Sequence, residues 1–251
     1  MDSQIVDLSR RELLVAGATV GALGMTTVRA VAGILSKEEQ NMVMETLEAK
    51  LVKVPSEEDI QKAIKGTAGV GISQRTHEEH LKLWQGYANK TNEIRKALAE
   101  LDTDPAKANQ IYSQTRALKV NYAFALGGYK NHNAYFDTLG GSGGGPKGDV
   151  EALISEAYGS VDKWAADWKM TGIAGRGWAY LAYDYDDQRV FNFIGDAQDT
   201  FPQWNCSLIL AMDVYEHAYY IDFGTARAKY IDAWQQVIDW DAVTKRLGKV
   251  R

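Results

Sequence analysis

Cysteine is almost absent. Cys206 is the single one among 251 residues, which excludes an intramolecular disulfide framework and any multi-cysteine zinc or iron–sulfur site. Proline is nearly as scarce, with four, while 45% of the residues are apolar. The chain can therefore bury a sizeable core as one large domain or two small ones. A basic excess is also lacking: 28 Lys and Arg against 33 Asp and Glu give a net charge of −5, which argues against nucleic acid or an anionic membrane as an obligatory partner. The N-terminal apolar run, Leu13 to Val28, has about 16 residues diluted by Gly, Ala and Thr, short of the ~20 that a bilayer crossing requires. No stable membrane anchor is expected from it. Histidine is the last scarcity, with only His77, His80, His132 and His217.

What is present begins at the N-terminus. Ser9-Arg-Arg-Glu-Leu-Leu14 precedes the apolar run, and Ala30-Val31-Ala32 stands before Gly33. This is the pattern of a twin-arginine export signal, residues 1–32, with a small-residue cleavage site. It predicts a periplasmic or extracellular protein with the signal removed.

The remainder reads as α+β. Residues 33–70 form an accessory helical segment, with a helix from Ser36 to about Leu51 that ends before Pro55. The stretch Lys65–Gly71, with three glycines, separates it from a long amphipathic helix over about Thr76–Leu101. A second helix follows from Pro105 and runs through Lys107–Leu139, so residues 71–140 make a helical hairpin. The cluster Gly140–Pro146 reads as a flexible connector. Residues 146–251 then form an α/β domain. Two helices, Asp149–Gly159 and Ser160–Met170, precede a small, about three-stranded antiparallel sheet over Gly177–Tyr183, Arg189–Ile194 and Cys206–Met212. Helical spacing returns over Val214–Phe223 and Ala226–Trp240.

Asp213 and His217 stand four apart, a spacing that brings both side chains to one side of a helical turn. A carboxylate and neutral imidazoles are the donors that hold iron or manganese at a mononuclear redox site. The longer string Asp213-Val-Tyr-Glu-His-Ala-Tyr-Tyr220 resembles the C-terminal signature of iron/manganese superoxide dismutases, D-V-W-E-H-A-Y-Y, with Tyr215 in place of Trp. In the same order along the chain, Asn131-His-Asn-Ala-Tyr-Phe136 resembles that family's N-H-x-x-F-W, and Gly175-Arg-Gly-Trp-Ala-Tyr-Leu181 its G-S-G-W-x-W-L. The resemblance covers roughly residues 70–245 and implies a helical hairpin and a C-terminal α/β region with the metal between them.

Carried over by position, the resemblance makes His132, Asp213 and His217 metal ligands. For the first ligand the choice lies between His77 and His80. We take His80, because Tyr87, seven residues on, then shares its helix face, and the phenol can reach the open side of the metal. His77 is then read as solvent-facing. The family's second helix histidine has no counterpart, with Leu83 and Trp84 in its neighbourhood.

Gln198 resembles the glutamine of manganese-type members that bonds the metal-bound solvent. The iron-type alternative position is Gly128, so one manganese or iron ion per subunit is implied, with manganese favoured. Glu216 and Tyr220 resemble residues that cross a homodimer interface, and Trp178 one that walls the metal pocket. The implied substrate is superoxide. A metal-binding homologue without catalysis and a mononuclear iron oxygenase are the rival readings, with three histidines and one carboxylate serving either. Twin-arginine export carries folded cargo, which suits a protein that takes up its metal before leaving the cytoplasm.

Overall fold

The computed structural model describes residues 50–102, 104–200 and 203–250. The signal (1–32) and most of the helix read over Ser36–Leu51 lie outside the described residues. Contacts group the chain into a large unit, Val52–Arg95 with Leu118–Arg251, and a small one that includes Lys96–Ala117. Every residue of the site lies in the large unit.

Helix α1 runs over Glu57–Thr67. The Asp59 carboxylate reaches back to accept the Ser56 N–H at 2.7 Å, and three acids occupy the first turn where the helix dipole favours them. The helix passes straight through Lys65 and Gly66, where sequence reading had put a glycine-rich break. Gly66 is needed for close approach rather than for a turn: a Cβ there would lie 2.3 Å from the Gly140 backbone. The Gly140–Pro146 segment is likewise anchored at its start, since Gly140 and Gly141 both donate to Val237 O at 2.9 Å.

Helices α2 (Gln74–Ala99) and α3 (Gln114–Thr138) are the two long arms. Their facing sides meet where Trp84 Nε1 donates to Asn133 Oδ1 at 2.8 Å and its ring stacks on Phe136. In the small unit, Pro105–Lys107 is a single 3₁₀ turn capped by Asp104. Helix α3 starts seven residues after that turn, later than the apolar spacing suggested.

Helices α4 (Gly148–Tyr158) and α5 (Val161–Ala174) lead into the sheet. Strands β1 (Trp178–Asp184), β2 (Arg189–Gly195) and β3 (Cys206–Asp213) pair antiparallel in the order β2-β1-β3. Central β1 is buried along almost its whole length, because α5 packs on β1 and β2, α4 on β2, and the last helix of the chain on β3. After β3 come a 3₁₀ turn at Glu216–Ala218, the short α6 (Tyr220–Phe223), α7 (Arg227–Gln235) and α8 (Trp240–Leu247). The core is strongly aromatic, with Trp168, Trp178, Trp234, Tyr135, Tyr180 and Tyr230 all fully buried. Among the described residues, no helix is long and apolar enough to cross a membrane.

Candidate metal centre

Four side chains converge in the large unit from four different elements. His80 comes from α2, His132 from α3, Asp213 from the end of β3 and His217 from the 3₁₀ turn, and one donor atom from each lies within 4.8 Å of all the others. The Asp213 Oδ2 is the hub. It stands 3.2 Å from His80 Nε2, 3.1 Å from His217 Nε2 and 3.7 Å from His132 Nε2. Of the four, only His217 is partly exposed.

Each placement has a local cause. The antiparallel register sets Asp213 directly across from Trp178, and Val214 N–H donates to Gly177 O at 2.8 Å, so the strand end is fixed on the β1 side. The other Asp213 oxygen accepts the Tyr215 N–H at 2.9 Å, an Asx-type turn. That turn, followed by the 3₁₀ turn, folds His217 back over the carboxylate. The sequence reading had the pair on one helical turn; they are joined instead by a strand end and a turn, because the sheet holds Asp213 extended.

His132 Nδ1 bonds Gly128 O at 2.6 Å, one turn earlier on α3. That bond requires the proton on Nδ1, which leaves the Nε2 lone pair for the cluster. Nε2 is buried and has no hydrogen-bond partner. A buried, unpaired imidazole nitrogen costs free energy, and here it points at a carboxylate flanked by two more imidazoles. This donor set is the kind that takes a mononuclear transition metal, and the orphaned nitrogen is the observation that the residues fit one.

Electrostatics agree with that fit. Burial, then the neighbouring His80, push His132 down to about 3, so it stays neutral and able to donate its lone pair. Burial also lowers His80, against the pull of Asp213. At His217 burial acts the same way, but the Asp213 charge and hydrogen bond outweigh it and the imidazole is raised. Burial works to raise Asp213, yet the His217 and His80 contacts win and hold it well below the usual carboxylate range. The cluster is therefore a carboxylate among imidazoles, two of which resist protonation.

Around it lie Tyr87, Trp178 and Gln198. The Tyr87 ring lies 5.3 Å from the His132 ring. Burial and the Asp213 charge raise its phenol, with a hydrogen bond from the Gln198 side chain opposing them. Trp178 meets His132 edge to face at 5.2 Å, and its Nε1 donates to Gln198 Oε1 at 3.1 Å. Asn131 Nδ2 also donates to Gln198, to its carbonyl at 3.2 Å and to Oε1 at 3.3 Å. With Oε1 used twice, the Gln198 NH₂ is the end left for Tyr87. Glu216 and Tyr220 lie outside this constellation and are exposed.

One expectation is corrected outright. His77 is buried, not solvent-facing. Positions 77, 80, 81, 84 and 88 form a single stripe at helical spacing, and the end of α1 covers its start, with Thr67 Oγ1 2.7 Å from His77 Nε2. Three residues had escaped functional notice. For Asn131 the available signal was its place directly before His132. Tyr230 donates to the Asp213 backbone carbonyl at 2.8 Å and meets Tyr135 at 3.3 Å between hydroxyls. Nothing in their local sequence announces that link.

The family model described as the C-terminal domain of iron/manganese superoxide dismutases matches residues 146–246. The protein named superoxide dismutase [Fe] of Aquifex aeolicus (strain VF5) is 38% identical over 183 residues, 71% of this chain and 85% of the relative. Superoxide dismutase [Mn] 2 of Haloferax volcanii is 33% identical over 171 residues, 68% of this chain and 82% of its own length. Superoxide dismutase [Mn] of Mycolicibacterium paratuberculosis is 34% identical over 179 residues, covering 70% and 82%.

Proposed function

Because the chain belongs to the iron/manganese superoxide dismutase family, we propose that it converts two superoxide anions and two protons into dioxygen and hydrogen peroxide. His80, His132, Asp213 and His217 hold one iron or manganese ion per subunit. The observation that carries this reading is the convergence of those four donors, with His132 Nε2 buried and unpaired. When bound, the ion supplies one-electron redox chemistry midway between the two superoxide half-reactions.

The protein's own residues bind, orient and handle protons. His132 is locked in the donating tautomer by Gly128 O, and Asp213 supplies the anionic ligand. Tyr87 keeps its proton at neutral pH, since burial and Asp213 both disfavour the phenolate. Gln198, pinned by Trp178 and Asn131, presents its amide NH₂ to that phenol, and the pair serves as the proton donor and relay. Tyr87 also lines an open groove of about 570 Å³ with Lys82, Lys90, Asn121 and Phe124, the side from which a small anion reaches it.

Manganese is favoured over iron in this reading. Gln198 supplies the amide, and the iron-type position leaves no room for one: a Cβ at Gly128 would lie 2.5 Å from the Tyr87 ring. The molecule works as a homodimer in which Glu216 and Tyr220 face a second copy. Exposed Tyr220 and Ile221 beside partly exposed His217 support that reading. The arginine pair at Arg10 and Arg11 with the Ala30–Ala32 site supports export to the periplasm or beyond.

The test is elemental analysis and superoxide dismutation on one purified sample, native against His132→Ala. Near-stoichiometric manganese or iron with activity that disappears in the variant is the expected result. Bound metal without dismutation in the native protein would favour the non-catalytic homologue, a reading motivated by the missing counterpart of the family's second helix histidine, where Leu83 and Trp84 stand nearby.

A further inference from the structure

Two buried imidazole nitrogens on α2 lack partners. They are Nδ1 of His77 and Nδ1 of His80, three residues apart on one helix face, with both rings packed edge-on against Phe136 at 6.2 and 5.1 Å. Both residues are completely buried, so bulk water satisfies neither. Their protonation states follow from the other side of each ring.

His80 directs Nε2 at Asp213, 3.2 Å away. If Nε2 is the metal-binding nitrogen, a neutral imidazole keeps its proton on Nδ1, which makes that atom a donor. On His77 the argument runs through Thr67. Its hydroxyl has one proton and two carbonyls in reach, Ala63 O at 2.8 Å and Ile72 O at 3.2 Å. A helical threonine bonding the carbonyl four residues back is the ordinary arrangement. The hydroxyl oxygen is then left to accept from His77 Nε2 at 2.7 Å, which puts the His77 proton on Nε2 and a lone pair on Nδ1. Burial, and next the nearby His80, hold His77 down to about 4, so it stays a neutral acceptor. One orphan is a donor and the other an acceptor.

We infer that His77 is the positioning residue for His80: its Nδ1 accepts the His80 Nδ1 proton through one buried water, and thereby fixes the ring and raises the basicity of the first metal ligand. Thr67 takes part at one remove, by fixing the tautomer of His77. The inference rests on the metal-centre reading above. Ligating histidines generally need such a partner on the second nitrogen; His132 has Gly128 O, whereas His80 Nδ1 has no protein partner.

The experiment uses metal-loaded protein and follows release of iron or manganese to a chelator, together with the midpoint potential of the bound ion. His77→Leu should release metal at least about tenfold faster than wild type and shift the potential. His77→Gln, whose amide oxygen can accept the same proton, should return both toward wild type. Thr67→Val keeps the shape but removes the acceptor for His77 Nε2–H. The proton can then move to Nδ1 and turn the acceptor into a donor, so release should quicken, while Thr67→Ser should not change it.

Wild-type release rates and potentials in both His77→Leu and Thr67→Val would overturn the inference. So would fast release in His77→Leu that Gln does not rescue and Thr67→Val does not reproduce, since that pattern means packing alone. If His77→Leu does not fold, the Thr67 pair decides. A wild-type protein that binds no iron or manganese would instead defeat the metal-centre reading, so the two failures are distinguishable.

Discussion

At the scale of single residues, the chemistry depends on which imidazoles are allowed a proton. His77 carries the clearest consequence for stability. In the unfolded chain it binds a proton below about 6.5, but in the folded protein only below about 4. Between those values the unfolded state holds more protons, so stability falls as pH drops through the window. The gap corresponds to roughly 3 kcal/mol. His77→Gln does not titrate there, so its denaturant midpoint should fall less than that of wild type between pH 7 and 4.5; parallel curves would show that His77 is protonated in the folded protein too. A second prediction concerns Tyr87. With the phenol raised by burial and Asp213, dismutation should hold through neutral pH and decline only on the alkaline side of the ordinary tyrosine range. Tyr87→Phe should lack that decline in a pH–rate profile.

At the scale of elements, glycines decide how closely the pieces approach. Gly127 and Gly86 both sit inside long helices yet differ in surroundings. A Cβ at Gly127 would lie 2.1 Å from the Gln198 carbonyl oxygen, a backbone atom that cannot swing aside. Gly127→Ala should cost about 1–3 kcal/mol and lower activity by displacing Gln198. A Cβ at Gly86 meets nothing within 4 Å. Gly86→Ala should be neutral or stabilise by about 0.5–1 kcal/mol through lower chain entropy. Urea midpoints and specific activities of the two variants test the contrast. Most elements were legible from sequence: β1, β2, β3, the first long arm and the end of the second are within a few residues of their expected places, because strand alternation and helical spacing are strong there, while the second arm starts seven residues late. Helix α1 was missed because Gly66 looks like a breaker in isolation. Its reason for being glycine is the Gly140 backbone packed against it, a neighbour 74 positions away.

At the scale of the whole molecule, the net charge of −5 does not oppose an anionic substrate, because steering depends on charge near the opening rather than the total. On the export reading, the processed protein should begin at Gly33, which intact-mass measurement checks; a full-length chain in the exported fraction would count against cleavage. Sedimentation of that protein should give a dimer, weakened by Glu216→Lys if Glu216 faces the second copy. A monomer with full activity would remove Glu216 and Tyr220 from the mechanism.

The sequence by itself determined the α+β order of elements and pointed to the family, because scarce histidines in colinear strings leave few alternatives, but it left the first ligand between His77 and His80. Local patterns of that kind require only neighbours in the chain. Only the tertiary structure decided what lies across a gap. It put Asp213 at a strand end opposite Trp178, fixed the His132 tautomer through Gly128 O, and pinned Gln198 by two side chains from other elements. It also buried His77 beneath Thr67. Burial and hydrogen-bond partnership depend on packing between segments distant in sequence, and periodicity along one helix cannot say what will cover its face.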